Sequence, residues 1–217
     1  MAATRRMSRQ REAGEATRRE TRRRVLVAAR IEFAERGYAA ATVNRIAERA
    51  DVAVQTLYHA WGSKRALLRA VMETAVTGED EVGVEANFPP ASILAGLDPV
   101  DATDPQKLLA HLVHAFRLLA ERAASAWETY QDAAATDPDV AADWQQLMQI
   151  RRSNIATLFE RVPVRRLRPG LTRALAADTA WAIASPDVHD QMVRQAGYSL
   201  DAFEKWLLDT LSAVLLR

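Results

Sequence analysis

Apolar residues recur three and four positions apart along most of this 217-residue chain. That spacing places them on one face of an α-helix, whereas a half-buried strand needs alternation with a period of two. Glycine is scarce, at 8 residues, and runs of β-branched residues are short. The sequence therefore predicts an all-α fold, and its length suits one domain or two small ones.

The charges are divided unevenly between the two parts of the chain. Residues 1–65 contain 15 basic and 7 acidic side chains, a net charge of +8, whereas residues 66–217 contain 14 basic and 21 acidic ones, a net charge of −7. A solvated surface is the simplest explanation of any charge run. An asymmetry of this size favours contact between the N-terminal part and a polyanion such as nucleic acid.

Several classes of protein fit the sequence poorly. The chain has no cysteine, which excludes disulfides, thiolate nucleophiles and cysteine-ligated zinc. No apolar run approaches the roughly 20 residues of a membrane helix, and the N-terminal arginines are not followed by the apolar stretch of a signal peptide. His111 and His114 have the spacing of a metal pair, but no third ligand is evident. We expect a cytoplasmic protein without metal, cofactor, membrane contact or enzymatic activity.

Composition divides the chain into an arm, a small domain, a connector and a larger domain. Residues 1–20 are rich in arginine and poor in large apolar side chains, which predicts a flexible basic arm. Residues 78–104 contain seven acidic and no basic side chains, together with glycines and prolines typical of a flexible connector. Between them, residues 21–66 form one predicted domain. Residues 67–217 form the other, whose helices after the connector are expected near 105–121, 123–135, 138–161, 172–184, 186–195 and 199–216.

Three helices are predicted within residues 21–66, of which the second and third are short and the first is long enough to brace them. Gly37 is expected to end the first, and Thr42 to cap the N-terminus of the second. About four residues separate the second helix from the third, which is the spacing of a helix-turn-helix whose second paired helix enters the DNA major groove. In that turn Asp51 occupies the position that needs a positive φ. Ala53 leaves the third helix without a Ser or Thr cap, unless Asp51 itself caps it.

At these positions the chain resembles the TetR family of transcriptional regulators. The resemblance rests on Ala28, Ala29, Phe33, Gly37, Tyr38, Thr42, Val43, Ile46, Ala47, Ala50, Val52, Thr56, Leu57, Tyr58, Trp61, Ser63, Lys64 and Leu67. The family prefers Gly at position 51, Ser at 53 and Phe at 61. Residues 185–211 also look like the ending common in this family. The resemblance implies a dimer with N-terminal helices that bind operator DNA and C-terminal helices that hold a ligand pocket and the dimer face.

The third helix and its neighbours supply the predicted DNA contacts. A glutamine such as Gln55 can pair with adenine, and Val54 and Thr56 can touch a thymine methyl group. The resemblance implies that the Tyr58 hydroxyl meets a phosphate, and a phosphate at a helix N-terminus would suit Lys64. The predicted set is Thr42, Asn44, Arg45, Val54, Gln55, Thr56, Tyr58, His59 and Lys64. The alternative for each is a solvated or core residue. Leu57 and Trp61, four residues apart, are predicted to be core.

The C-terminal helices carry candidate ligand and dimer residues. An apolar or aromatic effector could contact Phe116, Trp127, Tyr130, Trp144 and Met148, although ordinary core packing is the alternative. An apolar stripe on the last helix, together with the helix at 172–184, predicts a dimer face, and burial within one subunit is the alternative. That face comprises Leu175, Thr179, Ile183, Phe203, Trp206, Thr210, Leu211 and Val214.

Together these features predict a ligand-responsive transcriptional regulator. We expect a homodimeric repressor that binds a palindromic operator and is released by a small hydrophobic or aromatic effector. The alternative is an effector-independent DNA-binding or architectural protein, which would bind many sequences with a steep salt dependence and would not respond to any compound.

Overall fold

The computed structural model describes residues 2–78 and 104–217, with side chains from residue 14 onward. The helices are α1 (Ala2–Ala40), α2 (Val43–Ala50), α3 (Val54–Trp61), α4 (Lys64–Thr77), α5 (Pro105–Thr136), α6 (Pro138–Phe159), α7 (Arg173–Ile183), α8 (Pro186–His189) and α9 (Leu200–Leu215). A 3₁₀ turn precedes α7, and α8 continues as a π-helix at Asp190–Gln195. In the described ranges, extended pairing is limited to one antiparallel bridge between Leu167 and Leu216. The all-α prediction is confirmed.

Two elements differ from their predicted form. Residues 105–121 and 123–135 belong to one helix, α5, because the alanine-rich sequence between them contains no glycine or proline that would end it. Helix α1 begins at Ala2, so residues 2–20 are helical where the sequence predicts a flexible arm. Arginine, alanine and glutamate are strong helix formers, which accounts for the longer helix. Residues 79–103, nearly all of the predicted connector, lie outside the described residues.

Contacts along the chain separate two compact units. The first contains residues 2–78 and 125–141, and the second contains residues 104–124 and 142–217. Helix α4 packs with α1 in the first unit, whereas the sequence places the domain border at residue 66. The buried core of α1 to α4 includes Val25, Leu26, Ala29, Phe33, Ile46, Ala47, Leu57, Leu67 and Leu68.

The ends of the short helices follow the local sequence closely. Gly37 has a φ of 72° and interrupts the helical backbone of α1 after Arg36, as predicted. The Thr42 hydroxyl oxygen accepts a hydrogen bond from the backbone N–H of Arg45 at 3.3 Å, so Thr42 caps α2. Ser63 caps α4 in the same way. Each cap satisfies an N–H group that has no partner within the helix.

The turn between α2 and α3 is a Schellman motif. Asp51 has φ and ψ of 52° and 55°, which confirms the predicted left-handed position. Its backbone N–H donates to the carbonyl of Glu48 at 3.1 Å, and the N–H of Val52 donates to the carbonyl of Ala47 at 3.0 Å. These two bonds satisfy carbonyls at the end of α2. Asp51 therefore closes α2 and does not cap α3, which begins at Ala53 without a side-chain cap.

The second unit has its own core, built from α5, α6, α7 and α9. Phe159, Phe203 and Leu207 lie within it, and the π-helix contributes Met192 and Val193 at its edge. Arg151 of α6 donates to the carbonyls of Trp181 and Ala184 at the end of α7. Its burial there lowers the pKa of the guanidinium to about 10. The cation is stabilised by the negative end of the α7 dipole.

Candidate nucleic-acid interface

Helix α3 is held to the first unit by one face. Leu57 is 2% exposed and is the buried side chain of α3, every residue of which the structure describes. Trp61, one turn later, is half-buried, and the Arg22 guanidinium lies 5.2 Å from the centre of its ring. The core role of Leu57 is confirmed, while Trp61 is only partly enclosed. Leu57 and the enclosed part of Trp61 hold α3 to the first unit, so most of the surface of α3 faces water.

The opposite face of α3 carries the predicted reading residues. Gln55, Thr56 and His59 are exposed, and the Tyr58 side chain is 53% exposed. Their amide, hydroxyl and imidazole groups can donate and accept hydrogen bonds at base edges or phosphates. The side chains of α3 therefore divide into one buried face and one exposed polar face, as a recognition helix requires.

Contacts from α1 fix the turn that precedes α3. Arg24 Nη2 donates to the carbonyl oxygen of Asp51 at 3.0 Å. This bond joins α1 to the left-handed residue of the turn, 27 positions later in the chain. The angle between α2 and α3 is thus fixed by the Schellman bonds within the turn and by α1 beside it.

Lys64, a predicted phosphate contact, binds backbone carbonyls in the DNA-free structure, and its contact with DNA stays a prediction. Its ammonium donates to the carbonyl oxygens of Tyr38 at 2.7 Å and Ala41 at 3.1 Å, and it lies 4.2 Å from the centre of the Tyr38 ring. A third carbonyl, that of Ala39, is 3.5 Å away. Burial lowers the pKa of Lys64, and the negative charge of Asp137 acts in the opposite direction. The three N–H donors of the ammonium all face the end of α1, so Lys64 fastens α4 to α1.

Replacing Lys64 tests this assignment. We expect Lys64→Met to lower the free energy of unfolding of the DNA-free protein by about 1.5–3 kcal/mol, because carbonyls lose a charged hydrogen-bond donor. Urea denaturation measures the change, and Arg30→Met, at an exposed position of α1, is the control, expected within about 0.5 kcal/mol of the parent. Unchanged stability with a salt slope of DNA binding reduced by about one would instead indicate a phosphate contact.

Sequence reasoning missed a buried carboxylate that joins α1 to α2. The Glu32 side chain is 2% exposed, and its Oε1 lies 2.9 Å from Arg36 Nε and 3.2 Å from Arg45 Nε. Its Oε2 lies 3.3 Å from Arg49 Nη2. Arg49 also makes a bidentate contact with Glu35, and that contact raises the pKa of Arg49. These five residues are called the α1–α2 ion cluster below.

The helical periodicity of α1 could have indicated that Glu32 is buried. Glu32 lies seven residues after Val25 and three after Ala29, both of which are fully buried. It therefore occupies a core-facing position of α1, where a charged residue needs a partner. The partners could not be identified in the same way, because two of the three arginines lie on α2.

The structure groups the nine predicted DNA contacts within the first unit. Arg45, 51% exposed at its side chain, has Nε engaged by Glu32, and the Thr42 oxygen is engaged as a cap. Thr42, Asn44, Arg45, Gln55, Thr56, Tyr58 and His59 are exposed, whereas Val54 and Lys64 are half-buried. Contact between these residues and DNA stays a prediction.

The predicted dimer face requires a correction at two positions. Phe203 is 0% exposed and Leu211 is 2% exposed, so both belong to the core of the second unit and have no surface to offer a partner. Leu175 is exposed, and the other five members of the set are partly exposed, namely Thr179, Ile183, Trp206, Thr210 and Val214. For these six residues the dimer contact stays a prediction.

The predicted ligand residues are divided between the two units. Trp127 and Tyr130 are buried within the first unit, and Phe116, Trp144 and Met148 are partly buried within the second. Their contact with an effector stays a prediction.

One member of the histidine pair, His114, has a partner on α9. His114 Nδ1 lies 2.9 Å from Glu204 Oε1, and the other oxygen of Glu204 accepts from Arg117 at 2.8 Å. Among the side chains that the structure describes, those of residues 14–78 and 104–217, no three from His, Asp or Glu come close enough to share a metal ion. In the same ranges no helix combines the length and apolarity needed to cross a bilayer.

A braced pair of short helices, with a left-handed turn between them and an exposed polar face on the second, defines a helix-turn-helix DNA-binding protein. Comparison with protein families agrees with this class. Residues 25–71, which include α2, α3 and part of α1 and α4, match the family described as bacterial regulatory proteins, tetR family. The helix-turn-helix domain of this chain therefore belongs to the family of bacterial regulatory proteins named for tetR.

Solved structures of low sequence identity share the fold. Native NalD of Pseudomonas aeruginosa, described as the secondary repressor of the MexAB-OprM multidrug efflux pump, is 19% identical with a TM-score of 0.68, and the alignment covers 92% of this chain and 98% of NalD. A SmeT–triclosan complex is 23% identical with a TM-score of 0.66, and the alignment covers 91% and 92%. At these identities the likeness establishes an N-terminal helix-turn-helix domain followed by a C-terminal helical domain. A search of curated proteins by sequence found no match.

Proposed function

We propose that this regulator is a ligand-responsive repressor that binds a palindromic operator as a homodimer and leaves it when a small hydrophobic or aromatic effector binds. The observation that carries the proposal is the exposed polar face of α3 within a tetR-family domain. Leu57 packs the opposite face of α3 into the core of that domain. Such a helix can enter the major groove without rearrangement of its own core.

The chemistry of the exposed residues supports a division between base contacts and phosphate contacts. Gln55 presents an amide that can pair with both adenine N6 and N7, and the methyl group of Thr56 can touch thymine. The Tyr58 hydroxyl and the N-terminus of α2 at Thr42 offer donors suited to phosphate oxygens. Phosphate contacts position the protein, whereas base contacts supply the sequence preference.

A homodimer is supported by the apolar surface left on the second unit. Leu175 is 51% exposed, and Trp206 and Val214 of α9 are partly exposed. Large apolar side chains at partly exposed helical positions are suited to a partner helix. A two-fold dimer would separate its reading helices by about 34–36 Å, one turn of DNA, or by a multiple of it.

The proposal of a hydrophobic effector draws on relatives of similar fold. SmeT binds triclosan, an aromatic compound, and NalD represses a multidrug efflux pump. By analogy, an effector in the C-terminal helices would favour a conformation that fits the operator badly. Such release is a shift between two populations and requires no chemical step.

Selection of bound sequences from random duplex DNA tests the proposal, followed by release assays against hydrophobic and aromatic compounds, triclosan included. We expect an inverted repeat and at least one releasing compound. Gln55→Ala should lower discrimination at one matched base pair in each half-site by about 1–3 kcal/mol. Arg30→Met serves as the control with unchanged discrimination.

Two outcomes would count against the proposal in different ways. Sequence-tolerant binding in the selection would contradict operator recognition and favour the architectural alternative. An inverted repeat that no compound releases would leave a DNA-binding regulator but contradict the hydrophobic effector.

A further inference from the structure

Helix α8 and the π-helix that continues it are attached to the second unit by one buried side chain. The structure describes every residue from 186 to 195, and among them only His189 is buried, at 4% exposure. Val188, Met192 and Val193 are partly buried at the edge of the core. The attachment of this segment, called the α8–π segment below, therefore depends mainly on an imidazole.

The imidazole of His189 lies in apolar surroundings. It meets the ring of Phe203 on α9 edge to face, with the ring centres 5.1 Å apart and the planes at 88°. Its Nε2 is buried and has no hydrogen-bond partner among the described residues. A neutral imidazole can leave this nitrogen as a bare acceptor, whereas a proton at Nε2 would create a buried cationic donor without an acceptor. Protonation of His189 therefore opposes burial of the segment.

Two carboxylates act on the imidazole from its neighbourhood. Asp190 follows it in the π-helix, and Glu121 lies on α5. Asp190 is itself 3.2 Å from Arg194 Nε, and Glu121 is exposed to water. Burial lowers the pKa of His189 below its ordinary value, although both carboxylates act in the opposite direction. The neutral imidazole is thus the form that fits the folded second unit.

Aromatic contacts connect this imidazole with the outer side of α9. Phe203, which is 0% exposed, stacks on Trp206 with the ring centres 6.0 Å apart. Trp206 is partly exposed and belongs to the predicted dimer face. Protein interiors are close-packed, so movement of one ring in such a stack displaces the next. A change at His189 can therefore reach the surface that a second subunit is proposed to cover.

We propose that His189 is an acid-sensitive switch of the second unit, whose protonation releases the α8–π segment from the core and, through Phe203 and Trp206, weakens the homodimer. The π-helical conformation agrees with such a role, because short π-helical stretches are rare and frequently mark functional sites. The inference rests on the proposed function in one respect, namely that Trp206 contacts a second subunit. It adds protons as a second signal beside the proposed effector.

The direction of the pH dependence follows from the burial of His189. A histidine in the unfolded chain has a pKa of about 6.5, and the pKa of His189 in the folded protein is lower. The unfolded chain therefore binds the proton first as the pH falls. The stability that the neutral imidazole supplies is fully present above about pH 6.5 and is lost between the unfolded and folded pKa values. Within that window one proton raises the unfolding constant by up to about tenfold per pH unit.

The parent protein, His189→Met and His59→Gln together test the switch. Methionine cannot take up a proton, favours a helix and adapts to the shape of a core site. His59 is exposed on α3, and its predicted contact with DNA does not enter measurements made without DNA. Sedimentation between about pH 5 and 8 would give the dimer dissociation constant. Hydrogen exchange would give the protection of residues 186–195 at each pH, and NMR titration of the parent would follow the His189 ring without any variant.

We expect the dissociation constant of the parent dimer to rise by about three- to tenfold per pH unit below the unfolded pKa, relative to that of His189→Met. Protection of residues 186–195 in the parent should fall over the same range. His189→Met should retain both the dimer and the protection at acid pH. His59→Gln should behave as the parent does, because its imidazole is not part of the α8–π segment.

Other results would overturn the inference. A His189 ring that takes up its proton at or above the pKa of an unfolded histidine would show that burial does not oppose its charge. Equal pH dependence of protection in the parent and His189→Met would exclude His189 as the switch. Acid release of the segment without any change in the dimer would contradict the connection through Phe203 and Trp206. A parent protein that is monomeric at every pH would contradict the proposed homodimer, while exchange and NMR would still decide whether acid releases the segment.

Discussion

Leu57→Ala is expected to abolish operator binding while the second unit remains folded. Leu57 is the buried anchor of α3, and truncation of a buried leucine lowers stability by about 2–5 kcal/mol. An eight-residue helix is not stable in water without tertiary contacts. The exposed reading face would then lose its fixed orientation. Operator affinity and urea unfolding, measured on the same preparation, test both parts of the expectation.

Conservative replacement at the same position separates packing from a general effect of mutation. Leu57→Met preserves volume and should cost less than about 1.5 kcal/mol, with operator affinity close to that of the parent. Full operator affinity in a destabilised Leu57→Ala protein would mean that Trp61 and the α2–α3 turn hold the helix without Leu57.

Glu32→Gln should lower stability and raise affinity for unspecific DNA. Loss of the carboxylate removes charged contacts to three arginines, and we expect the free energy of unfolding to fall by about 1.5–3 kcal/mol. This is less than the 3–5 kcal/mol of a fully buried pair, because the arginine side chains are partly exposed and water screens them. The released guanidinium groups should make the salt slope steeper by up to about one for each new phosphate contact.

The opposite signs of these two effects make the prediction specific. Chemical denaturation measures the loss of stability, and fluorescence anisotropy with a scrambled duplex measures the affinity for unspecific DNA. Glu35→Gln is the matched control, since Glu35 is 50% exposed at its side chain and contacts only Arg49 of the cluster in the described residues. Reduced affinity of the Glu32→Gln protein for both operator and scrambled duplexes would show that the α1–α2 ion cluster positions the DNA-binding surface. It would contradict the idea that the glutamates keep the arginines from binding phosphate.

Features encoded within a few residues could be predicted from the sequence. The helical period predicts the fold. Gly37 interrupts α1, Thr42 caps α2 and Asp51 closes it as expected, because a cap depends on neighbours three or four residues away. The same local spacing predicts Leu57 as core.

Features that depend on residues distant in the chain could not be predicted. Lys64 at a helix N-terminus indicates an anion when only its neighbours are known, but its acceptor at Tyr38 is 26 residues away. Two of the three arginines that pair with Glu32 lie on another helix. Phe203 and Leu211 show a related limit, because an apolar stripe does not specify whether its own subunit or a partner covers it.

Ala53 has a thermodynamic consequence for operator recognition. Helix α3 begins there without a side-chain oxygen to accept the N–H groups of its first turn, so this turn is more readily opened in the free protein. Those groups are the backbone N–H groups of Val54, Gln55 and Thr56, three of the predicted base contacts. Operator binding would therefore include the ordering of the first turn, with a favourable enthalpy and an opposing entropy. The affinity of this regulator should accordingly weaken more steeply on warming than that of a variant with serine at this position.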